Sequence, residues 1–366
     1  MRKILTLVAI AAVTTCLSAC SNSKEELYIL NWGEYMDTEL ITNFEKEYNV
    51  TIHYQTQESN ELMYSQIVGG TTAPYDLVFP SDYMIEKMKS EDLLYEIDFS
   101  LLTNYEENMY SDGLDELIAE TDYNNYFIPY FWGSLGIMYN NTVDGLEEVI
   151  LENGWASLFE HDLLPSGTKV GMYDVSRDAF AAAQMYLGYS INTTDETELQ
   201  ACRDLLKNTS FNMWGTDDLK VDISSKNLDL SLVYSGDFFD QLYTSLDNDK
   251  EITYGIYAPT DVNNIFFDGV AIPKTAQNVE LAHKFIDYLL DFDNSLANAY
   301  YVGYCPTIQA VYEEILADEE MDEITQYDAY HPSIILNTEG TKAEIYQDLG
   351  TDVYKKLEEY FIEVKA

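Results

Sequence analysis

The chain has 366 residues, 46% of them hydrophobic and 14% aromatic, enough for a globular protein of two ordinary domains. It carries 65 Asp and Glu against 19 Lys and Arg, a net charge of −46 at pH 7, and a surface that acidic repels phosphate backbones and excludes nucleic-acid binding. Its three arginines, Arg2, Arg177 and Arg203, are too few for a site that clamps an anion with several guanidinium forks, whereas 31 tyrosines among so many carboxylates suit an organic cation.

Residues 1–19 read as a signal peptide. Arg2 and Lys3 form its positive start, and the apolar stretch from Ile4 to Val13 is too short to stop in a bilayer. Leu17-Ser18-Ala19-Cys20 resembles the lipobox of bacterial lipoproteins. That resemblance implies cleavage before Cys20 and a diacylglyceryl thioether on its sulfur. The protein would then sit outside the cytoplasmic membrane, touching it through the lipid alone. Cleavage also removes Arg2 and Lys3, which takes the net charge from −46 to −48. Residues 20–26 are short and polar, a tether to the first strand. No later apolar run approaches the ~20 residues of a membrane-spanning helix.

Residues 27–30 (LYIL) form a short apolar strand. Leu40, Ile41, Phe44 and Tyr48 then share a helix face, with Asp37 or Thr38 as N-cap. Val50, Ile52 and Tyr54 alternate as a second strand, and Ser59 or Asn60 caps a second helix. A third strand covers 75–79 and stops at Pro80. This β-α-β-α-β order predicts a parallel sheet covered by helices, with ligands collecting beyond the carboxyl ends of its strands. The segments Asn31 to Tyr35 and Pro80 to Tyr83 stand there.

A second α/β region follows, with strands at 169–173 and 230–234 and a helix at 178–187 between them. A strand at 264–272 and an amphipathic helix at 278–292 come next. Gly303-Tyr304 breaks the following helix, and the last 60 residues read as mostly helical. Without a low-complexity linker or a repeat, the pattern suits two lobes joined by short crossings near 131–134, 256–262 and 303–305. Cys202 and Cys305 are compatible with one disulfide or with two buried thiols.

Catalytic signatures are missing. The chain has no G-x-S-x-G, P-loop or G-x-G-x-x-G. Its four histidines (His53, His161, His283, His331) lie far apart, and its cysteines lack zinc-site spacing. No catalytic residue, cofactor or metal site is expected.

Asn31-Trp32-Gly33-Glu34-Tyr35, Glu58-Ser59-Asn60-Glu61 and Tyr75-Asp76-Leu77-Val78-Phe79-Pro80-Ser81-Asp82-Tyr83 are similar to stretches of spermidine/putrescine-binding proteins, the extracytoplasmic receptors of polyamine ABC transporters. Ile128-Pro129-Tyr130, Leu187-Gly188-Tyr189-Ser190, Phe267-Asp268-Gly269-Val270-Ala271-Ile272-Pro273, Gly303-Tyr304 and Tyr346-Gln347 extend the resemblance in order to the C-terminus. The resemblance implies an α/β, two-lobed type II periplasmic-binding-protein fold with the ligand in the interlobe cleft. Residues 27–131 and 257–303 would form the first lobe, and 132–256 and 304–366 the second. It implies a non-enzymatic receptor without cofactor that captures a polyamine and delivers it to membrane permease subunits.

The binding positions it implies are Trp32, Tyr35, Ser81, Tyr83, Asp178, Tyr234, Asp237, Phe266, Asp268, Tyr304 and Gln347. These residue types fit the ligand: carboxylates replace the water of buried ammoniums, and aromatic faces box the methylenes, each worth roughly 0.5–2 kcal/mol. The chain departs from the family in carrying Tyr234 and Phe266 where Trp is frequent, and Val175 and Asp178 where Asp-x-x-Glu is usual. Asp237 is similar to the carboxylate of putrescine-preferring relatives, which leaves the choice between spermidine and putrescine open. Read without the resemblance, Trp32 and Tyr35 fit loop packing as well, Asp178 and Asp237 fit solvated helix starts, and Arg177 is a local ion-pair partner for Asp178. Aromatic platforms would also serve a sugar, and an extracytoplasmic hydrolase would need a coupled nucleophile and base that the sequence does not display.

Overall fold

In a computed structural model of the chain, residues 24–69, 74–337, 340 and 342–366 are described. The expected signal peptide and Cys20 lie outside them. Among the described residues, eleven strands form one curled sheet: β1 (Glu26–Trp32), β2 (Thr51–Gln57), β3 (Leu77–Val78), β4 (Phe127–Asn140), β5 (Val170–Tyr173), β6 (Met213–Gly215), β7 (Leu230–Tyr234), β8 (Tyr254–Tyr257), β9 (Val262–Ala271), β10 (Cys305–Pro306) and β11 (Lys342–Glu344). The spatial order is β2-β1-β3-β9-β4-β7-β5-β6, with β8 and β10 also on β4 and β11 on β9.

β1 pairs in parallel with β2 along its whole length and with β3 beyond. At the other end of the sheet, β5 pairs in parallel with β7 and β6. The long antiparallel strands β4 and β9 join these two parallel groups. β4 pairs with β9 through residues 127–134, then changes neighbour and pairs with β7 from Leu135 to Tyr139. All 14 residues of β4 are buried, as expected of a strand covered on both faces. Each parallel group with its helices is one lobe, and the cleft between them faces the carboxyl ends of the strands.

Local chemistry sets the element ends. The Asp37 carboxylate accepts from the Glu39 N–H (2.8 Å) and caps the Thr38–Tyr48 helix, and Ser59 Oγ accepts from the Leu62 N–H (3.2 Å) to cap Asn60–Val68. Residues 278–292 are expected as one helix, and the structure has it as Val279–Leu290, ended at Asp291. Asp291 is extended, and its carboxylate caps a second helix, Phe292–Val302, through the Asn294 N–H. β3 is shorter than 75–79; just before it the Asp76 N–H still donates to the Tyr28 carbonyl of β1 (2.8 Å), while the Tyr28 N–H is taken by the Asp76 side chain. The Asp76 carboxylate is 0% exposed and accepts from the N–H groups of Tyr28, Gln277 and Asn278. Cys202 and Cys305 are both free and buried, so the two-thiol alternative holds.

Candidate functional site

Both parallel groups deliver side chains to the same place. Beyond β1 stand Trp32 and Tyr35; beyond β3, Ser81 and Tyr83 open the Asp82–Ser90 helix. Phe266 and Asp268 are two residues apart on β9 and share one face, whereas Phe267 between them is 0% exposed in the core. The second lobe contributes Asp178 from the first turn of the Ser176–Leu187 helix, Tyr234 at the end of β7, and Asp237 from the first turn of the Ser235–Asp247 helix. Tyr304 follows Gly303, whose φ of 80° ends the Phe292–Val302 helix. These ten residues line one cavity of about 890 Å³, within the range of small-ligand sites.

Asp268 is a buried carboxylate on its wall. The Tyr35 hydroxyl donates to Oδ2 at 2.6 Å, and the Ser81 hydroxyl is a second donor. Asn60 fixes Ser81, donating to its Oγ (3.0 Å) and accepting from its N–H (3.1 Å). Burial drives the Asp268 pKa up to about 6 against the pull of these hydroxyls. Asp178 is in a similar position. Its Oδ1 accepts from the Tyr234 hydroxyl (2.6 Å) and the Tyr346 hydroxyl (3.0 Å), and burial again places its pKa at about 6. The Arg177 guanidinium is committed elsewhere, to Asn192 Oδ1 (2.7 Å) and the Gln347 carbonyl (3.3 Å), with the Tyr346 ring 4.5 Å below it. It acts on Asp178 only as a nearby charge.

Aromatic rings connect the carboxylates. Tyr35 meets Tyr304 edge-on at 5.1 Å, Tyr304 meets Phe266 at 6.3 Å, Phe266 meets Tyr234 at 5.0 Å, and Tyr234 meets Tyr173 at 5.6 Å. Tyr304 can lie there because residue 236 is glycine: a Cβ at Gly236 would come within 2.0 Å of the Tyr304 ring.

Asp237 differs from the other two. The Lys220 ammonium lies 3.5 Å from its Oδ1 and 2.8 Å from Asp240 Oδ2. Its Oδ2 faces the Tyr173 hydroxyl and the Tyr234 N–H, each at 3.4 Å. Burial raises its pKa, and Lys220 opposes that rise.

Gln347 is the expected position that falls outside the cavity wall. It is exposed, and its backbone binds Asn192 and Arg177. Its neighbour Tyr346, 2% exposed, lines the cavity in its place. Sequence reasoning also passed over Tyr173, Lys220 and Glu61. Glu61 Oε1 accepts from the Tyr83 hydroxyl (2.8 Å) and from the Tyr354 hydroxyl (2.7 Å), which stands on the Thr351–Lys365 helix packed on the second lobe. It therefore ties one lip of the cleft to the other. The tyrosine-rich composition was the one available signal for these partners; the pairings themselves span 22 to 293 residues of sequence.

Comparison with known proteins agrees with this geometry. Residues 39–329 match the model of the bacterial extracellular solute-binding protein family. The spermidine/putrescine-binding periplasmic protein of Salmonella typhimurium is 31% identical over 364 residues, covering 98% of this chain and 97% of its own. A solved chain from Listeria monocytogenes superposes with a TM-score of 0.75 at 33% identity, covering 93% of this chain and 99% of its own. A spermidine/putrescine ABC transporter substrate-binding protein from Streptococcus pneumoniae gives 0.73 at 31% identity over the same shares. With its two lobes, its cleft and a match along nearly its whole length, the chain belongs to the bacterial extracellular solute-binding protein family.

Proposed function

We propose that this protein captures a polyamine outside the cytoplasmic membrane and delivers it to the permease subunits of an ABC transporter. The carrying observation is the pair Asp178 and Asp268, 4% and 6% exposed, whose hydrogen bonds come from neutral hydroxyls. A buried carboxylate without a cation is costly, and a ligand ammonium removes that cost. A neutral sugar would not. The names of the relatives support the same ligand class.

In this reading Asp178 and Asp268 each take an ammonium, with Ser81 and Tyr35 orienting Asp268 and Tyr234 and Tyr346 orienting Asp178. Trp32, Tyr83, Phe266 and Tyr304 enclose the methylenes. Contacts from both lobes favour the closed arrangement when ligand is present, so closure is a hinge movement selected by binding. We place the moving bodies at 27–131 with 257–303 and at 132–256 with 304–366. A lipid on Cys20 holds the receptor at the membrane.

Calorimetric titration of the purified protein with putrescine, spermidine and maltose tests the reading. Saturable binding of an amine and no response to maltose is expected; maltose binding with no response to either amine overturns it.

A further inference from the structure

The cleft contains a cation of its own. Lys220, on the Asp218–Ser224 helix, has a side chain 12% exposed whose ammonium reaches two acids of the neighbouring Ser235–Asp247 helix, Asp240 at 2.8 Å and Asp237 at 3.5 Å. Its stem of four methylenes ending in an ammonium is chemically the end of a polyamine. It lies among the same wall residues that would receive a ligand arm: Asp237, Tyr173, Tyr234 and Tyr304. We propose that Lys220 is a specificity-determining residue that fills the ammonium position at Asp237 and thereby makes this cleft a receptor for diamines in preference to triamines. The inference rests on the polyamine reading above and narrows it.

Buried charge sets the preference. Three deeply buried carboxylates face the cavity: Asp178, Asp237 and Asp268. Two accept only from neutral hydroxyls and are left for ligand ammoniums. The third already has a cation. Burial pulls the Lys220 pKa down, but Asp237 and Asp240 outweigh it and hold the ammonium charged. A third ligand ammonium at that end would meet Lys220 as a like charge in a weakly solvated space. Of the remaining acids on the cavity wall, Glu34, Glu58, Asp174 and Asp217 are exposed and screened by water, and half-buried Glu61 is held by the Tyr83 and Tyr354 hydroxyls at the lip of the cleft.

The test uses putrescine and spermidine as probes in calorimetric titrations of the full protein. Wild type should bind putrescine at least tenfold more tightly than spermidine. The variant Lys220→Gln/Asp240→Asn removes one charge of each sign, which keeps the wall balanced, and frees Asp237. Its spermidine-to-putrescine Kd ratio should fall at least tenfold, and adding Asp237→Asn should restore the wild-type ratio. Lys220→Met, read in the same way, serves where the double variant melts near assay temperature. A purely structural ion pair would change both affinities together and leave the ratio alone. A ratio within threefold of wild type in the folded variants overturns the role of Lys220 while leaving the polyamine reading intact, as does tighter spermidine binding by wild type. A wild-type protein that binds neither amine overturns both.

Discussion

Asp268 and Asp237 are each 6% exposed, and after burial itself their charges are the largest influences raising the pKa of the Tyr304 hydroxyl. Their surroundings nevertheless differ in kind. Asp268 ends an apolar run of β9 and has hydroxyl donors; Asp237 has the Lys220 ammonium. A charge with an internal partner is part of the wall. A charge left with dipoles alone destabilises the empty protein and waits for a partner from outside. On this distinction, binding capacity resides in the carboxylates the fold has not satisfied, and their neutralisation should separate affinity from stability.

The largest effect is expected from Asp268→Asn. Removing one partner of a buried charge pair costs about 2–5 kcal/mol, so amine affinity should fall several hundredfold, chiefly through faster dissociation. Stability should move the other way. The folded pKa of Asp268, about 6, lies above its ordinary 3.8. Its stabilising contribution is therefore complete below pH 3.8 and is lost as pH rises through 6. At pH 7.5 the ligand-free wild type bears the full cost of the buried charge, and Asp268→Asn should relieve about 1–3 kcal/mol of it, raising Tm by about 2–5 °C. A variant that loses affinity and melts lower would place Asp268 among structural acids.

Acidification probes Asp268 and Asp178 together. Ligand ammoniums need the ionised carboxylates, and each has a pKa of about 6 in the empty cleft. Moving from pH 7.5 to pH 5 should weaken putrescine binding about tenfold for each, approaching a hundredfold together, because the amine stays protonated throughout. Buried Asp82 stands near Asp268; burial pushes its pKa well up, the Tyr83 N–H opposes that rise, and the Asp268 charge adds to it. Titrations at both values check this, and a flat profile would mean that neither acid contacts the amine.

Much of this was legible in the sequence. The first β-α-β-α-β unit follows from apolar alternation, which stands Trp32, Tyr35, Ser81 and Tyr83 beyond strand ends and leaves Asp37 or Thr38 and Ser59 or Asn60 as caps; the structure selects Asp37 and Ser59. Phe266 and Asp268 come from the resemblance alone, although their i, i+2 spacing on the strand expected at 264–272 is one that shares a face. What remained hidden was long-range. Nothing near Lys220 in sequence announces that it meets Asp237 and Asp240, because helix packing brings them together. Asp76 reads as a strand residue until its three backbone donors are seen. The resemblance implies Gln347, whereas Tyr346 lines the cavity: the segment has no regular periodicity, and its facing is set by the Asn192 and Arg177 contacts rather than by a strand or helix repeat.

Tyr35→Phe sharpens the comparison at the level of a single donor. The hydroxyl supports ionised Asp268 at 2.6 Å, and hydrogen bonds to charged groups contribute about 1.5–3 kcal/mol. Affinity should fall about tenfold at pH 7.5, and the acid limb of the pH profile should move upward, since losing a donor to the charged form raises the Asp268 pKa. An unchanged limb would show that Ser81 alone sets the charge of Asp268.

The smallest effect is expected from Asp237→Asn, and its sign is the informative part. If Lys220 has taken this carboxylate into the wall, its loss leaves a buried ammonium with a weaker set of partners. Asp240 remains at 2.8 Å, so the penalty should fall short of the 3–5 kcal/mol of a fully broken buried pair and lie near about 1–2 kcal/mol, lowering Tm by roughly 2–3 °C at pH 7.5. Asp268→Asn is expected to raise Tm under the same conditions. Putrescine affinity should change far less than in Asp268→Asn, because the carboxylate removed here has its cation inside the protein. Differential scanning calorimetry of the two variants side by side reads the contrast. Were both to melt higher than wild type and lose binding equally, Lys220 would not be satisfying Asp237, and the two acids would be equivalent halves of one ammonium site.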